Sequence, residues 1–234
     1  MNNHLRNTML ITVKKPYFEP EVRNSVENLQ TRFEWFMKWK DSDMDFTKNC
    51  IFIDEAGFHI NMRLNWARSK SGKKAIIKQP QTRAPTHTII EISGENTEVN
   101  DDSADNNSVK KGTTAHFVKF MNEVLAVLDA EEAFKGSYIV LDNTSIHKSK
   151  PMIRKIESKG YRVMYLPPYS PELNPIEQIW AIVKGKMKRD RLMNEENLSS
   201  RITDACNDIL ISDLNDFCNH SKRQIVNCYN KTPF

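Results

Sequence analysis

Cysteine is scarce. The four present (Cys50, Cys206, Cys218 and Cys228) are scattered along 234 residues, too few to staple a chain of this length. The closest two have nine residues between them, whereas a structural zinc knuckle spaces its thiols by about two to four. No apolar run approaches the roughly 20 residues that cross a bilayer, so no membrane partner is expected. The opening MNNHLRNTMLITVKK has no secretory apolar core followed by a small-residue cleavage site, which predicts a chain that is not secreted. Glycine-rich phosphate loops are missing too: neither GxGxxG nor GxxxxGK followed by Ser or Thr occurs. No Cys–His or Ser–His pair sits at the ends of apolar runs, and acyl transfer has little support.

What is present reads as a globular chain, 39% hydrophobic and 27% charged, of one or two domains. A formal charge of +4 is only weakly basic, but its distribution is polarised. Between Ala56 and Ile90 stand Arg63, Arg68, Lys70, Lys73, Lys74, Lys78 and Arg83 with no acid, and from Glu91 to Asp105 there are acids and no base. Such a patch is either a solvated face or a surface that attracts a polyanion.

Periodicity divides the chain. Residues 1–24 show none that is sustained and read as an arm or linker. Residues 25–45 hold a linker helix, with Leu29, Phe33, Phe36 and Met37 three and four apart and Trp35 and Trp39 widening the stripe. The run Cys50–Ile53 reads as a buried strand ending at Asp54-Glu55. Residues 60–67 and 74–78 fit an antiparallel continuation, and Thr86 to Ile92 a further strand. Residues 93–112 form a polar insert. A helix then carries Phe117, Phe120, Met121, Val124, Leu125 and Leu128, followed by a second buried strand, Tyr138–Leu141, which ends at Asp142. A short helix over 149–158, a strand over Arg162–Leu166, a rigid turn Pro167–Pro171, a helix from Asn174 through Lys188 and another over about 198–218 complete the domain. Residues 219–234 read as a C-terminal tail. Strands alternating with helices predict an α/β fold with a mixed central sheet flanked by helices.

Two apolar strands therefore end in an aspartate. A strand core disfavours a carboxylate, but a strand's carboxyl end opens on the crevice where α/β folds hold ligands. A third acid, Glu177, follows Asn174 by three residues, and by spacing alone this is a capping box. If the three acids converge, their hard oxygens suit Mg²⁺ or Mn²⁺, and two ions about 4 Å apart would clamp the attacking and leaving oxygens of a displacement at phosphorus.

The stretches CIFIDEAGFHINMRLNWARSKSGK, IVLDNTSIHKS and LPPYSPELNPIEQIWAIVKGKMKR closely resemble the catalytic domain of mariner-type DDE transposases, over residues 27–215. The 34 residues between Asp142 and Glu177 fit that superfamily's triad. The resemblance implies a ribonuclease H-like core over 46–218, with Asp54 on the first strand, Asp142 on the fourth and Glu177 on a later helix. It implies that these three residues are catalytic and hold Mg²⁺ or Mn²⁺, as two ions. It also implies cleavage at the ends of a mobile element and joining of the freed 3′ hydroxyl to a new site. Double-stranded DNA is the implied partner, with a homodimer, or a heterodimer with an intact transposase, as the assembly. The expected location is the nucleus in a eukaryote and otherwise the cytoplasm.

Pro171, Asn174 and Pro175 resemble the family's framing of the third acid. His147 resembles its DN…H pattern and is a candidate contact to phosphate or the leaving strand, with a plain surface histidine as the alternative. Glu55 reads as a supporting acid rather than a fourth ligand. Arg63, Arg68, Lys70, Lys73 and Lys74 are candidate phosphate contacts, and Lys184, Lys186 and Lys188 a second DNA-contacting stripe. Only about fifty residues precede Asp54 where the family carries paired helix-turn-helix domains, so an end-recognition module is expected to be absent. A truncated, noncatalytic DNA-binding or dimerising remnant is the competing reading.

Overall fold

Helices and strands alternate along the computed structural model, which describes residues 19–59, 86–93, 114–189 and 198–234. In chain order the elements are α1 (Val26–Trp39), β1 (Cys50–His59), β2 (Thr86–Ser93), α2 (Thr114–Ala130), β3 (Tyr138–Leu141), α3 (Lys150–Ser158), β4 (Arg162–Tyr165), α4 (Ile176–Arg189), α5 (Leu198–Asn207) and α6 (Ile211–Asn230). The four strands form one mixed sheet in the order β2-β1-β3-β4. β1 runs antiparallel to β2 and parallel to β3, and β3 runs parallel to β4. The expected continuation at 60–67 and 74–78, Trp66, most of the polar insert and most of the N-terminal arm lie outside the described residues.

β3 is the innermost parallel strand and all four of its residues are buried, which is why it reads YIVL without alternation. Strand parity then sorts the core into two layers. Ile51, Ile53, Ile139 and Leu141 meet Phe117, Met121, Val124, Leu125 and Leu128 of α2 and Met152 and Ile156 of α3. On the opposite face, Phe52, Ala56, Phe58, Val140 and Met164 meet Trp35 of α1, Ile176, Ile179, Trp180 and Val183 of α4, and Cys228 of α6. Trp180 stands edge-on to Phe58 at 5.6 Å between ring centroids, a core residue as its helical spacing with Glu177 suggested.

Local chemistry sets the element ends. Ser25 caps α1, its Oγ accepting from Asn28 N–H at 3.3 Å. α3 stops in a Schellman motif. Tyr161 N–H donates to Ile156 O, Gly160 N–H donates to Glu157 O, and Gly160 takes the required left-handed conformation at φ +90°.

Four expectations need correction. β1 does not end at Asp54-Glu55 but continues to His59, because β2 pairs with it from Phe52 to His59 after β3 has stopped. Met37 faces outward at 43% exposure, whereas Arg32 and Trp35 are buried; Met37 is two residues from Trp35 and thus nearly opposite it on a helix. The helix expected over 198–218 is two helices, with Asp213 Oδ2 accepting from Leu210 N–H as α6 opens. The expected tail is helical to Asn230, and Ser221 and Cys228 are fully buried. Small polar side chains at inward positions hid that periodicity.

Candidate active site

β1 pairs with β3 as far as Ile53↔Leu141, and an aspartate follows on the next residue in each case. Asp54 shares strand parity with Phe52 and Ala56 and so lies on the α4 face of the sheet. Asp142 follows the third described strand. The loop after it closes on the carboxylate: Asp142 Oδ1 accepts from Thr144 N–H at 3.2 Å and from Thr144 Oγ1 at 2.9 Å. A 3₁₀ turn at Ser145–His147 then brings His147 Nδ1 to 2.6 Å from the same oxygen.

His147 is therefore not a surface histidine. It is 3% exposed, with its ring against Phe117 at 4.5 Å and its carbonyl accepting from Tyr165 Oη at 2.8 Å. Its Nε2 lies 3.7 Å from Glu55 Oε1, so Glu55 is an outlying acid on the opposite sheet face from Asp54. The imidazole is turned toward the carboxylates of Asp142 and Glu55.

The third acid comes from the opening of α4. Asn174, 6% exposed, donates from Nδ2 to Asp54 Oδ2 at 3.1 Å while its Oδ1 accepts from Ile176 N–H at 3.4 Å. The asparagine thus caps the helix and grips the first aspartate. The reciprocal half of a capping box is not made, because Asn174 N–H donates to Pro171 O at 3.0 Å. Glu177 is exposed and its carboxylate has no hydrogen-bond or ion-pair partner among the described residues.

Asp54 responds to both of the other acids. Burial first, and then the Glu177 and Asp142 charges, push the Asp54 carboxyl up to about 6, against the opposing hydrogen bond from Glu55 N–H. Burial would also raise Asp142, but the hydrogen bonds and charge of His147 and the Thr144 contacts outweigh it and hold Asp142 below its ordinary value. His147 is the mirror case: burial would lower it, and Asp142 and Glu55 raise it.

A divalent cation fits this donor set in kind. The candidate donors are hard carboxylate oxygens, Glu177 and Asp142 Oδ2 have no partner among the described residues, and a cation would neutralise the like charges that, after burial, raise Asp54. The donors are not drawn into a finished cage: no group of three or more His, Cys, Asp or Glu among the described residues is arranged to hold a metal ion.

The proposed DNA contacts divide. Arg63, Arg68, Lys70, Lys73 and Lys74 lie outside the described residues. Lys184 Nζ sits over the Phe58 ring at 5.6 Å, and Lys188 is exposed. Lys186 is not part of their stripe, because residues two apart face opposite sides of a helix. Its Nζ pairs with Asp208 Oδ2 at 3.0 Å and donates to Ala205 O at 3.4 Å, tying α4 to α5. Sequence reasoning missed the Asn174–Asp54 bond and the contacts of Thr144 with Asp142.

Residues 49–199 match the family model of the DDE superfamily endonucleases, and the chain belongs to that family. Among solved structures, the Mos1 transposase paired-end complex with left transposon end is similar at TM-score 0.74 and 12% identity, covering 99% of this chain and 69% of that one. The catalytic domain of Mos1 mariner transposase matches at TM-score 0.62 and 11% identity, over 94% of this chain and 100% of that one. The Mos1 mariner paired-end complex with Mn matches at TM-score 0.72 and 13% identity, over 100% and 70%. These likenesses bear out the ribonuclease H-like α/β class. No curated protein is similar enough in sequence to add a named relative.

Proposed function

We propose that this chain is the phosphoryl-transfer domain of a DNA transposase, with Asp54, Asp142 and Glu177 as its catalytic, metal-holding acids. One observation carries the reading: the parallel pairing of β1 and β3 ends at Ile53↔Leu141, one residue before Asp54 and Asp142, and Asn174, at the opening of the helix that bears Glu177, donates to Asp54 Oδ2 at 3.1 Å. Like charges gathered at one strand end destabilise the chain that holds them unless a cationic ligand is bound, which is a recognised mark of a functional site. Mg²⁺ or Mn²⁺, as one or two ions held by these acids, would supply Lewis-acid stabilisation to the attacking and leaving oxygens of a phosphodiester.

The chain's own residues do the rest. Asn174 fixes the Asp54 oxygen from the α4 side, and Thr144 and His147 fix one oxygen of Asp142, leaving the other free. Lys184 and Lys188, one turn apart on α4, serve the DNA backbone, joined by the basic segment Arg63–Lys74. The similar Mos1 structures include complexes with transposon-end DNA and with Mn or Mg, which supports duplex DNA as substrate and paired ends as the assembly.

The test is incubation of the full chain with labelled duplex DNA in Mn²⁺ and in chelator, with Asp142→Asn beside it. Mn²⁺-dependent nicking is expected from the native chain, and a loss of about 100-fold or more from the variant with its circular dichroism unchanged. Equal nicking by both would reject the role of Asp142. The alternative reading is a DNA-binding member of the family that does not cut. DNA retention without nicking by the native chain would select it.

A further inference from the structure

Arg32 is a buried cation without a carboxylate partner among its hydrogen bonds. It is 1% exposed at the centre of α1. Nε donates to Ser170 Oγ at 2.9 Å and Nη1 to Asn24 Oδ1 at 2.9 Å, while Nη2 donates to Arg23 O at 2.9 Å and to Tyr169 O at 2.7 Å. The guanidinium carbon also lies 4.4 Å from the centre of the Phe234 ring. Four of its five donors are thus satisfied, all by neutral oxygens. Filling this space with an apolar side chain would avoid burying a charge, so packing alone does not account for an arginine here.

What it holds is specific. Tyr169 is a non-glycine residue at φ +52°, a sparsely populated conformation that persists where surrounding contacts impose it. Ser170, the other acceptor on that turn, donates onward to Pro168 O at 3.0 Å. Two further contacts follow the same path: Trp35 Nε1 donates to Tyr165 O at 3.0 Å, and Arg23 pairs with Glu172. From the end of β4 to the start of α4, the chain is therefore laid against α1 and the turn before it. Two residues beyond Glu172 is Asn174, with its bond to Asp54, and three further is Glu177.

From this geometry we infer that Arg32 is a positioning residue, through which α1 acts as a template that sets Asn174 and Glu177 against Asp54. The inference deepens the proposed function and rests on it for its catalytic consequence. The positional consequence stands by itself.

The experiment uses the full chain with Arg32→Lys, which keeps the charge but lacks the planar fork that reaches four acceptors. Amide hydrogen exchange is read at Leu173, Asn174 and Glu177, which donate to Ser170 O, Pro171 O and Asn174 O, and at Leu166, just past β4, which donates to Leu141 O at the end of β3. Exchange at the first three is expected to rise about tenfold or more with Leu166 within about twofold, because local opening is separable from global unfolding. No rise, or an equal rise at Leu166, would overturn the inference. In parallel, Mn²⁺-dependent nicking of duplex DNA is expected to lose about tenfold in kcat with KM for DNA within about twofold. A change confined to KM would overturn the catalytic consequence. If the native chain does not nick, the proposed function fails and the exchange comparison alone decides the role of Arg32. Ser170→Ala removes one acceptor without disturbing α1 and gives the same comparison should Arg32→Lys not fold, with a rise of about threefold expected and no rise overturning it.

Discussion

Asp54 costs the fold something when no cation is bound. Its folded pKa of about 6 lies above the ordinary aspartate value of about 3.9, so the folded chain binds this proton more readily than the unfolded one. Its contribution is therefore favourable in acid and is lost as pH rises through about 6. In chelator, Asp54→Asn should raise stability by about 2 kcal/mol above pH 7 and by almost nothing below pH 4, read from urea midpoints at each pH. A variant less stable than the native chain at pH 7 would show that the charges around Asp54 are not a burden. Asp142 and His147 have the opposite signs. Asp142, held low, supports the fold until pH falls through its depressed pKa, and His147, held high, supports it until pH rises through its elevated one.

At this scale the three acids were legible because their framing is local: CIFI and YIVL each run into an aspartate, and Asn174 precedes Glu177 at the spacing of a helix start. The surroundings of His147 were not, since Phe117 and Glu55 come from elements distant in the chain and only folding brings them to the ring. The Lys186 ion pair was hidden for a similar reason, its partner Asp208 lying beyond α5.

Elements with an uninterrupted apolar rhythm, such as α2 and β3, read correctly from sequence. α6 did not, because Ser221 and Cys228 share the inward face with Leu214, Phe217 and Ile225, which pack on the core cluster. Tyr229 adds ring contacts to Phe33 and Phe36 of α1, at 6.5 and 5.3 Å. The second half of α6 is thus part of the α4-side layer. Ending the chain after Cys218 should lower stability by about 3 kcal/mol or more, through the loss of several buried side chains. A urea midpoint close to that of the full chain would restore the reading of residues 219–234 as a tail.

For the whole molecule, a net charge of +4 gives only weak general attraction to DNA, so individual phosphate contacts should be visible in the salt dependence. Lys188 is exposed, whereas Lys186 is spent on Asp208. Lys188→Gln should reduce the slope of log K against log salt by about one, and Lys186→Gln should leave it unchanged. The reverse order, measured by filter binding across a salt series, would place the DNA on the other side of α4. Among the described residues no helix is long and apolar enough to cross a membrane. The sheet order, the two core layers and the clamp of α1 on the segment before α4 all lead to the same end of β1 and β3.

Whether three separated acids act there as one ligand set is measured most directly by titrating Mn²⁺ into the metal-free chain and into Asp54→Asn, Asp142→Asn and Glu177→Gln by calorimetry. The native chain is expected to bind, and each variant to bind about tenfold more weakly or worse, because each removes one anionic oxygen donor. Glu177→Gln binding Mn²⁺ as tightly as the native chain would contradict the shared site.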